Sequence, residues 1–316
     1  MAAIFGNISP SDDYTHDPGS RENFNESIYF NFCDERSGIG GFMRMGNRPN
    51  QGHAEYSVVV YLEGGRVLYL HDQAPITDNA RFAAGGMQIE VLEPTQRLRT
   101  RFSGSIPEIA DPSKLIQGHD AVRDAPTRRL ELRLVHEAVG PIYSGEHPDN
   151  GAFDFHFEQH MAVRGALRVD ALEIPIHGYG LRDHSWGPRS WDRIQDYAWL
   201  TMNFGAELGV KLYTLQTPDG EETRDSWIVR GDHAEPVVRA RIRVISEPGG
   251  LVHREIHATA EARDGEHLEI SGRIEGYVPL QFRTPAGLTL LGEGLTRWQC
   301  GDSVGHGLAE VMHQLP

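Results

Sequence analysis

Apolar and polar residues alternate with a period of two along most of this chain. Met87-Gln-Ile-Glu-Val-Leu does so. Leu98, Thr100 and Phe102 alternate with Arg97, Arg99 and Arg101, and Leu130, Leu132 and Leu134 with Glu131, Arg133 and Val135. Each run predicts a strand with one buried and one wet face. Tyr56-Ser-Val-Val-Val-Tyr-Leu is β-branched and aromatic, and Glu63-Gly-Gly signals a hairpin into Arg66-Val-Leu-Tyr-Leu. The rhythm continues through Tyr197 to Phe204, Gly209 to Leu215, Trp227-Ile-Val, Ala240 to Ile245, His253 to Ala262 and His267 to Ile274. Thr217-Pro-Asp-Gly, Glu247-Pro-Gly-Gly and Arg263-Asp-Gly punctuate it. Turns at this spacing suit a meander or barrel. Leu308 to Gln314 reads as a short helix or a final strand, and the polar residues 1–22 as a loose arm.

Composition agrees. The 35 glycines and 18 prolines exceed average usage, as many turns require. A net charge of −15, spread along the chain, argues against a nucleic-acid surface and for solubility. Cys33 and Cys300 lack CxxC spacing, which disfavours a disulfide framework or a thiolate zinc site. The opening residues show no basic region followed by an apolar one, and no run is long and apolar enough to span a membrane as a helix. A cytoplasmic location is therefore expected. No Walker loop occurs, and Gly178-Tyr-Gly lacks the third glycine of a dinucleotide fingerprint.

Two stretches carry candidate chemistry. Phe153, Phe155 and Phe157 alternate with Asp154, His156, Glu158 and His160, so the four polar residues share one face. An open sheet would give that face to solvent and a barrel would turn it into a lumen. His156, Glu158 and His160 are spaced for two metal ligands on one strand, fewer than a zinc site takes, and no metal is expected. The second stretch, His177 to Trp191, gathers an acid, histidines, arginines, a tyrosine and two tryptophans on a backbone broken by Gly178, Gly180, Gly187 and Pro188. It reads either as a ligand site with proton chemistry or as an Asp–Arg bridge closing a turn.

Gly178-Tyr-Gly-Leu-Arg-Asp-His-Ser-Trp-Gly resembles the G-x-G-Y-x-D-H-N-W-G signature of the carotenoid hydratase (hydroxyneurosporene synthase) family. The resemblance covers about ten residues. It implies an all-β protein of two consecutive lipocalin-like (calycin) antiparallel β-barrel or sandwich domains. Their junction would fall near the motif: an arm at 1–22, a first domain at 23–185 and a second at 186–316. Ser144 to Gly151 is more linker-like in composition but equally suits a long hairpin loop. By the resemblance Asp183 falls on the catalytic acid, and His184, Trp186 and Gly187 match in place. Ser185 replaces Asn. Leu181 stands where the family often has Tyr, while Tyr179 keeps the strand parity of Asp183.

Adding a proton to a C=C bond needs a protonated acid and shelter for the cation. An aspartic acid in water is ionised at neutral pH, so Asp183 would need walls that raise its pKa. Trp186, Trp191 and Trp199 are placed to supply them, each ring worth roughly 0.5–2 kcal/mol to a nearby cation. The expected catalytic group is Asp183, His184, Glu158 and Tyr179; Trp186, Arg189, Trp191, Tyr197 and Trp199 are expected against the substrate. The activity would be cofactor-independent hydration, isomerisation or cyclisation of a hydrophobic terpenoid, polyene or polyketide-like compound, in a monomer or homodimer. A non-catalytic carrier of such a ligand is the alternative. A metal-assisted hydrolase using His156, Glu158, His160 or His184 is a weaker one.

Overall fold

The structure, a computed structural model, describes residues 2–118, 120–144, 154–189, 196–217, 220–284 and 287–315. The first part of the chain carries β1 (Ile4–Phe5), β2 (Phe24–Asp34), β3 (Ile39–Arg48), β4 (His53–Tyr61), β5 (Val67–Pro75), β6 (Phe82–Ala84), β7 (Met87–Glu93), β8 (Arg97–Ile109), β9 (Thr127–Ala138), β10 (Ile142–Tyr143), β11 (Phe155–Val169) and β12 (Leu172–Pro188). The second part carries β13 (Tyr197–Asn203), β14 (Gly209–Thr217), β15 (Gly220–Arg230), β16 (His233–Ser246), β17 (His253–Ala262), β18 (His267–Thr284), β19 (Gly287–Cys300) and β20 (Ser303–Leu315). Leu308 to Gln314 is thus a strand.

The alternating runs become barrel walls. In the first sheet β9 pairs both β8 and β11, which closes β2-β3-β4-β5-β8-β9-β11-β12 into a ring. Strands β13 to β20 close into a second barrel in chain order. The protein is all-β, with tandem lipocalin-like barrels. Both interiors are filled rather than open. Ile28, Phe30, Met43, Val58, Leu132 and Met161 are among those buried in the first, and Leu200, Met202, Leu212 and Trp298 in the second. Each such side chain contributes roughly 1.5–3 kcal/mol by leaving water.

The outward face of β2, β3 and β4 is also apolar. Tyr29, Phe42, Val59 and Tyr61 form one buried cluster with Leu291, Leu295, Leu308 and Met312 of the second barrel. The two barrels therefore meet wall to wall. Asn31 Nδ2 donates to Thr201 Oγ1 at 3.2 Å across this seam, and Tyr61 OH to the Glu293 carbonyl at 2.9 Å.

Residues 2–22 are docked, not loose. β1 pairs parallel with β10, and Asp13, 1 % exposed, accepts a hydrogen bond from the buried Arg182 guanidinium. A polar segment holds on because its acid neutralises a cation that the first barrel has already buried. Ser144 is described, but residues 145–151 of the linker-like stretch lie outside the described residues.

The glycines of the motif have a packing reason. A Cβ at Gly178 would run into the Cys33 carbonyl of β2, and one at Gly180 into that of Asn31. The two strands come unusually close there, and Leu181 N–H is met by Asn31 Oδ1 at 2.8 Å. Gly180→Ala should cost about 1–3 kcal/mol by overpacking. A urea denaturation midpoint equal to wild type would show that the strands part freely.

Candidate active site between the barrels

Strand parity sorts the motif into two groups. Asp183 is the register partner of Glu158 on β11 and Tyr29 on β2, and Tyr29 is the partner of Arg44 on β3. This row lies on the outside of the first barrel, facing the second. Adjacent residues point the other way. Arg182, His184 and Trp186 face into the first barrel. His184 Nε2 contacts Glu26 Oε1 at 2.7 Å, and Trp186 stacks on His16 at 3.7 Å between ring centroids. Burial pushes the Glu26 carboxyl up, but hydrogen bonds from His16 and His184 outweigh it and hold it at about 2. The expectation that His184 joins Asp183 in the catalytic group and that Trp186 walls it is corrected accordingly: both serve a buried plug on the opposite face.

Of the four polar residues expected to share one face, Asp154 is exposed and pairs with Arg21, while the other three meet neither solvent nor a lumen. His156 (8 % exposed), Glu158 (0 %) and His160 (2 %) are covered by the second barrel. His160 Nδ1 contacts Asn203 Oδ1 at 2.8 Å. His156 Nε2 donates to Asp183 Oδ2 and Nδ1 to Asp225 Oδ2 at 3.2 Å. A ring with a carboxylate on each nitrogen carries both protons. Burial alone would lower the His156 pKa; the charges of Asp183 and Glu158 and the hydrogen bonds override it and hold it up at about 10.

The second barrel completes the network. Lys211 Nζ lies 2.6 Å from Glu158 Oε2 and 3.1 Å from Asp225 Oδ2. Trp199 Nε1 donates to Glu158 Oε1 at 2.7 Å, and Trp227 Nε1 to Asp225 Oδ1 at 2.7 Å. Asp225 adopts a φ of 32°, beside a register shift between β14 and β15. That bulge aims its carboxylate at both His156 and Lys211, at a local backbone cost. Burial lifts the Glu158 carboxyl to about 6 despite Lys211 and His156.

The character expected of Asp183 is therefore corrected. Burial pushes its pKa up, but the charge and hydrogen bond of His156, with Arg189 beyond, hold it below the usual carboxylate value. It is a carboxylate hydrogen-bonded to an imidazolium, not a neutral acid. Its side chain is 19 % exposed, and half-buried Arg189, Tyr197, Trp199 and Tyr213 and buried Tyr29 belong to the same seam. Arg189 Nη2 donates to Ser185 Oγ at 2.9 Å, and the charges of Asp183 and Arg44 both reach Arg189. Trp199 meets Tyr29 edge-on at 5.5 Å, and Tyr197 meets Tyr213 at 5.4 Å. Tyr179 keeps the parity of Asp183 but stands roughly 13 Å along the strand, beyond the buried Leu181. Trp191 lies outside the described residues.

Sequence reasoning missed Tyr29, Arg44, Lys211, Tyr213 and Asp225. Lys211 alternates with Val210 and Leu212 and so reads as a solvated strand residue. Nothing in the local pattern says that another barrel covers it.

The His156 pair makes stability pH-dependent. Its folded pKa, about 10, lies above the unfolded value of 6.5. The stabilisation is thus complete below the unfolded value and is lost as pH rises through the folded one. The urea midpoint should fall along that alkaline range in the wild type and stay flatter in His156→Gln. Parallel curves would show that His156 is neutral in the fold.

No protein of curated function matches the sequence. Solved structures resemble its fold at low identity. A putative AttH from Nitrosomonas europaea is 14 % identical with a TM-score of 0.65, covering 100 % of both chains. CghA with Sch210972 is 12 % identical with a TM-score of 0.56, covering 95 % of this chain and 93 % of that one. Kievitone hydratase from Nectria haematococca is 9 % identical with a TM-score of 0.52, covering 99 % and 97 %. No helix among the described residues is long and apolar enough to cross a membrane. The family described as a domain of unknown function, DUF7064, matches residues 9–315, and the chain belongs to it.

Proposed function

We propose that this protein is an acid–base enzyme that hydrates, isomerises or cyclises a hydrophobic unsaturated substrate held between its two barrels. The observation that carries this reading is the Asp183–His156 ion pair, buried among aromatic rings and still partly accessible. A structural ion pair needs no accessible oxygen beside half-buried tyrosines. A lipocalin-like carrier needs no ion pair at all. The presence of a hydratase among the structures of similar fold agrees with this chemistry.

The groups divide the work by charge. His156 fixes Asp183 in its ionised form and aims it. Asp183 accepts a proton from a water or from a carbon beside a developing cation. The faces of Tyr29 and Trp199 stabilise that cation, and the carboxylate adds its charge in a site of low dielectric. Arg189, with Arg44, positions an oxygen of the substrate. Glu158 and Lys211 hold His156 rather than touch the substrate. The side chains alone supply this chemistry, so the reading is cofactor-independent. We put the domain junction after Pro188 rather than at the expected 185/186, because β12 runs through that point and stays paired with β2 as far as Pro188.

The test starts from small molecules extracted from the purified protein and identified by mass spectrometry. Each is returned to the protein in deuterated water. An enzyme of this kind gives a product carrying carbon-bound deuterium or added water. A carrier returns its ligand unchanged, and that result would end the proposal.

A further inference from the structure

The seam holds a second pair of acids that the reading above leaves unused. Glu293 on β19 and Glu310 on β20 are register partners. Leu291 and Leu295 flank Glu293 at the same parity, and Leu308 and Met312 flank Glu310, so both carboxyls project among the residues that meet the first barrel. Glu293 is 2 % exposed, and neither an N–H nor a hydroxyl reaches its Oε2. Its side chain hydrogen-bonds that of Glu310. Two carboxyls placed this way, one fully buried, share a proton, because two like charges would repel without water between them. Glu310 is the less buried member, and Tyr197 OH donates to its Oε1. We propose that Glu310, backed by Glu293, is the acid of this site and delivers the proton across the seam from Asp183. This rests on the reading of the seam as an active site and gives it the donor that Asp183, being ionised, is not.

The surroundings support the assignment. Burial raises both carboxyls, and each is then set by its neighbours. Glu310 raises Glu293 further. Hydrogen bonds from Glu293 and Tyr197 and the charge of Arg189 draw Glu310 down, while the Asp183 charge pushes it up. The other titratable groups facing the pair are Tyr29 and Tyr61, which feel both carboxyls, Tyr213, which feels Glu310, and, from within the second barrel, Tyr277, which feels Glu293. Burial keeps these phenols protonated, so near neutral pH the proton of the carboxyl pair is the mobile one. Asp183 and the pair thus form two carboxyl centres driven apart by their environments, the arrangement that separates an acid from a base.

The step balances. The proton shared with Glu293 shifts onto Glu310, the less tightly protonated member, and the Glu310 O–H bond then breaks as its proton bonds to an alkene carbon, using the π electron pair. The neighbouring carbon becomes cationic beside Asp183. Water adds there and passes its proton to Asp183, giving hydration. Alternatively an adjacent C–H gives its proton to Asp183, giving an isomer. Asp183 releases the proton it accepted to solvent, and solvent returns one to the carboxyl pair.

The test is covalent labelling of the full-length chain with diphenyldiazomethane, an apolar reagent. A protonated carboxyl gives its proton to the diazo carbon, dinitrogen leaves, and the carboxylate oxygen bonds to that carbon. Ionised carboxylates do not react. Peptide mass mapping at neutral pH should find the ester on Glu310 and none on Asp183. Glu293→Gln replaces the shared proton with an amide donor and should abolish the label, as should Glu310→Gln. Asp183→Asn should keep the label but end it at a lower pH, because the charge that raises Glu310 is gone. Circular dichroism confirms folding, and Tyr197→Phe, which leaves the pair intact, should still label. An unlabelled Glu310 in folded wild type overturns the proposal, and so does a label indifferent to Glu293→Gln. The label reports the proton on Glu310, whereas the Asp183 reading stands on deuterium uptake, so either can fail alone.

Discussion

Asp183→Asn should lower turnover by about 10²- to 10⁴-fold, the usual contribution of one positioned proton-transfer group, with ligand affinity unchanged. The amide keeps the shape of the side chain and its contact with His156, but it neither accepts a proton nor holds a negative charge against a cation. His156 remains between Glu158 and Asp225, so the fold should survive. Deuterium uptake by the extracted ligand is the measurement. An undiminished rate in the variant would remove Asp183 from the chemistry. Weakened binding at an unchanged rate would instead mark it as a ligand contact. His156→Gln should lower turnover as well, because Asp183 would lose the charge that keeps it ionised.

Lys211→Met should cost about 3–5 kcal/mol of stability, the usual consequence of removing one partner from a buried ion pair. Lys211 is 1 % exposed, and its ammonium is shared by Glu158 and Asp225. Without it three carboxylates face the single charge of His156. Glu158 already sits at about 6, above its unfolded 4.5, and would rise further. A raised acid takes up a proton on folding, so the penalty should be smallest near roughly pH 5 and grow as pH rises toward neutrality. Urea denaturation at the two ends of that range reads this directly. A loss below about 1 kcal/mol, or one that does not grow with pH, would mean that water reaches these acids in the fold.

Structures of similar fold add a constraint on architecture rather than on substrate. At identities of 9–14 % they share the fold with this chain.

The strands were legible in the sequence because period-two alternation is a local property; the tandem arrangement of barrels was implied only by the resemblance carried by the motif. Any residue whose neighbours point the other way has one buried face, whichever partner buries it. The same rule, applied through the motif, would have separated Asp183 from His184 and Trp186; the sequence reading grouped the three instead, and the structure divides them between two faces. What no local pattern carries is the identity of the covering surface. Glu158 and Lys211 each alternate with apolar residues and read as wet, until the second barrel closes over the first and turns two solvent faces into one buried interior. The proton assignments followed from that closure. His156 is charged because Asp225 arrives from β15, Asp183 is ionised because His156 is charged, and Glu293 shares a proton because Glu310 lies beside it out of water. Sequence fixes which atoms exist and which way they alternate. Burial and distance, which set the charges, are properties of pieces far apart in the chain.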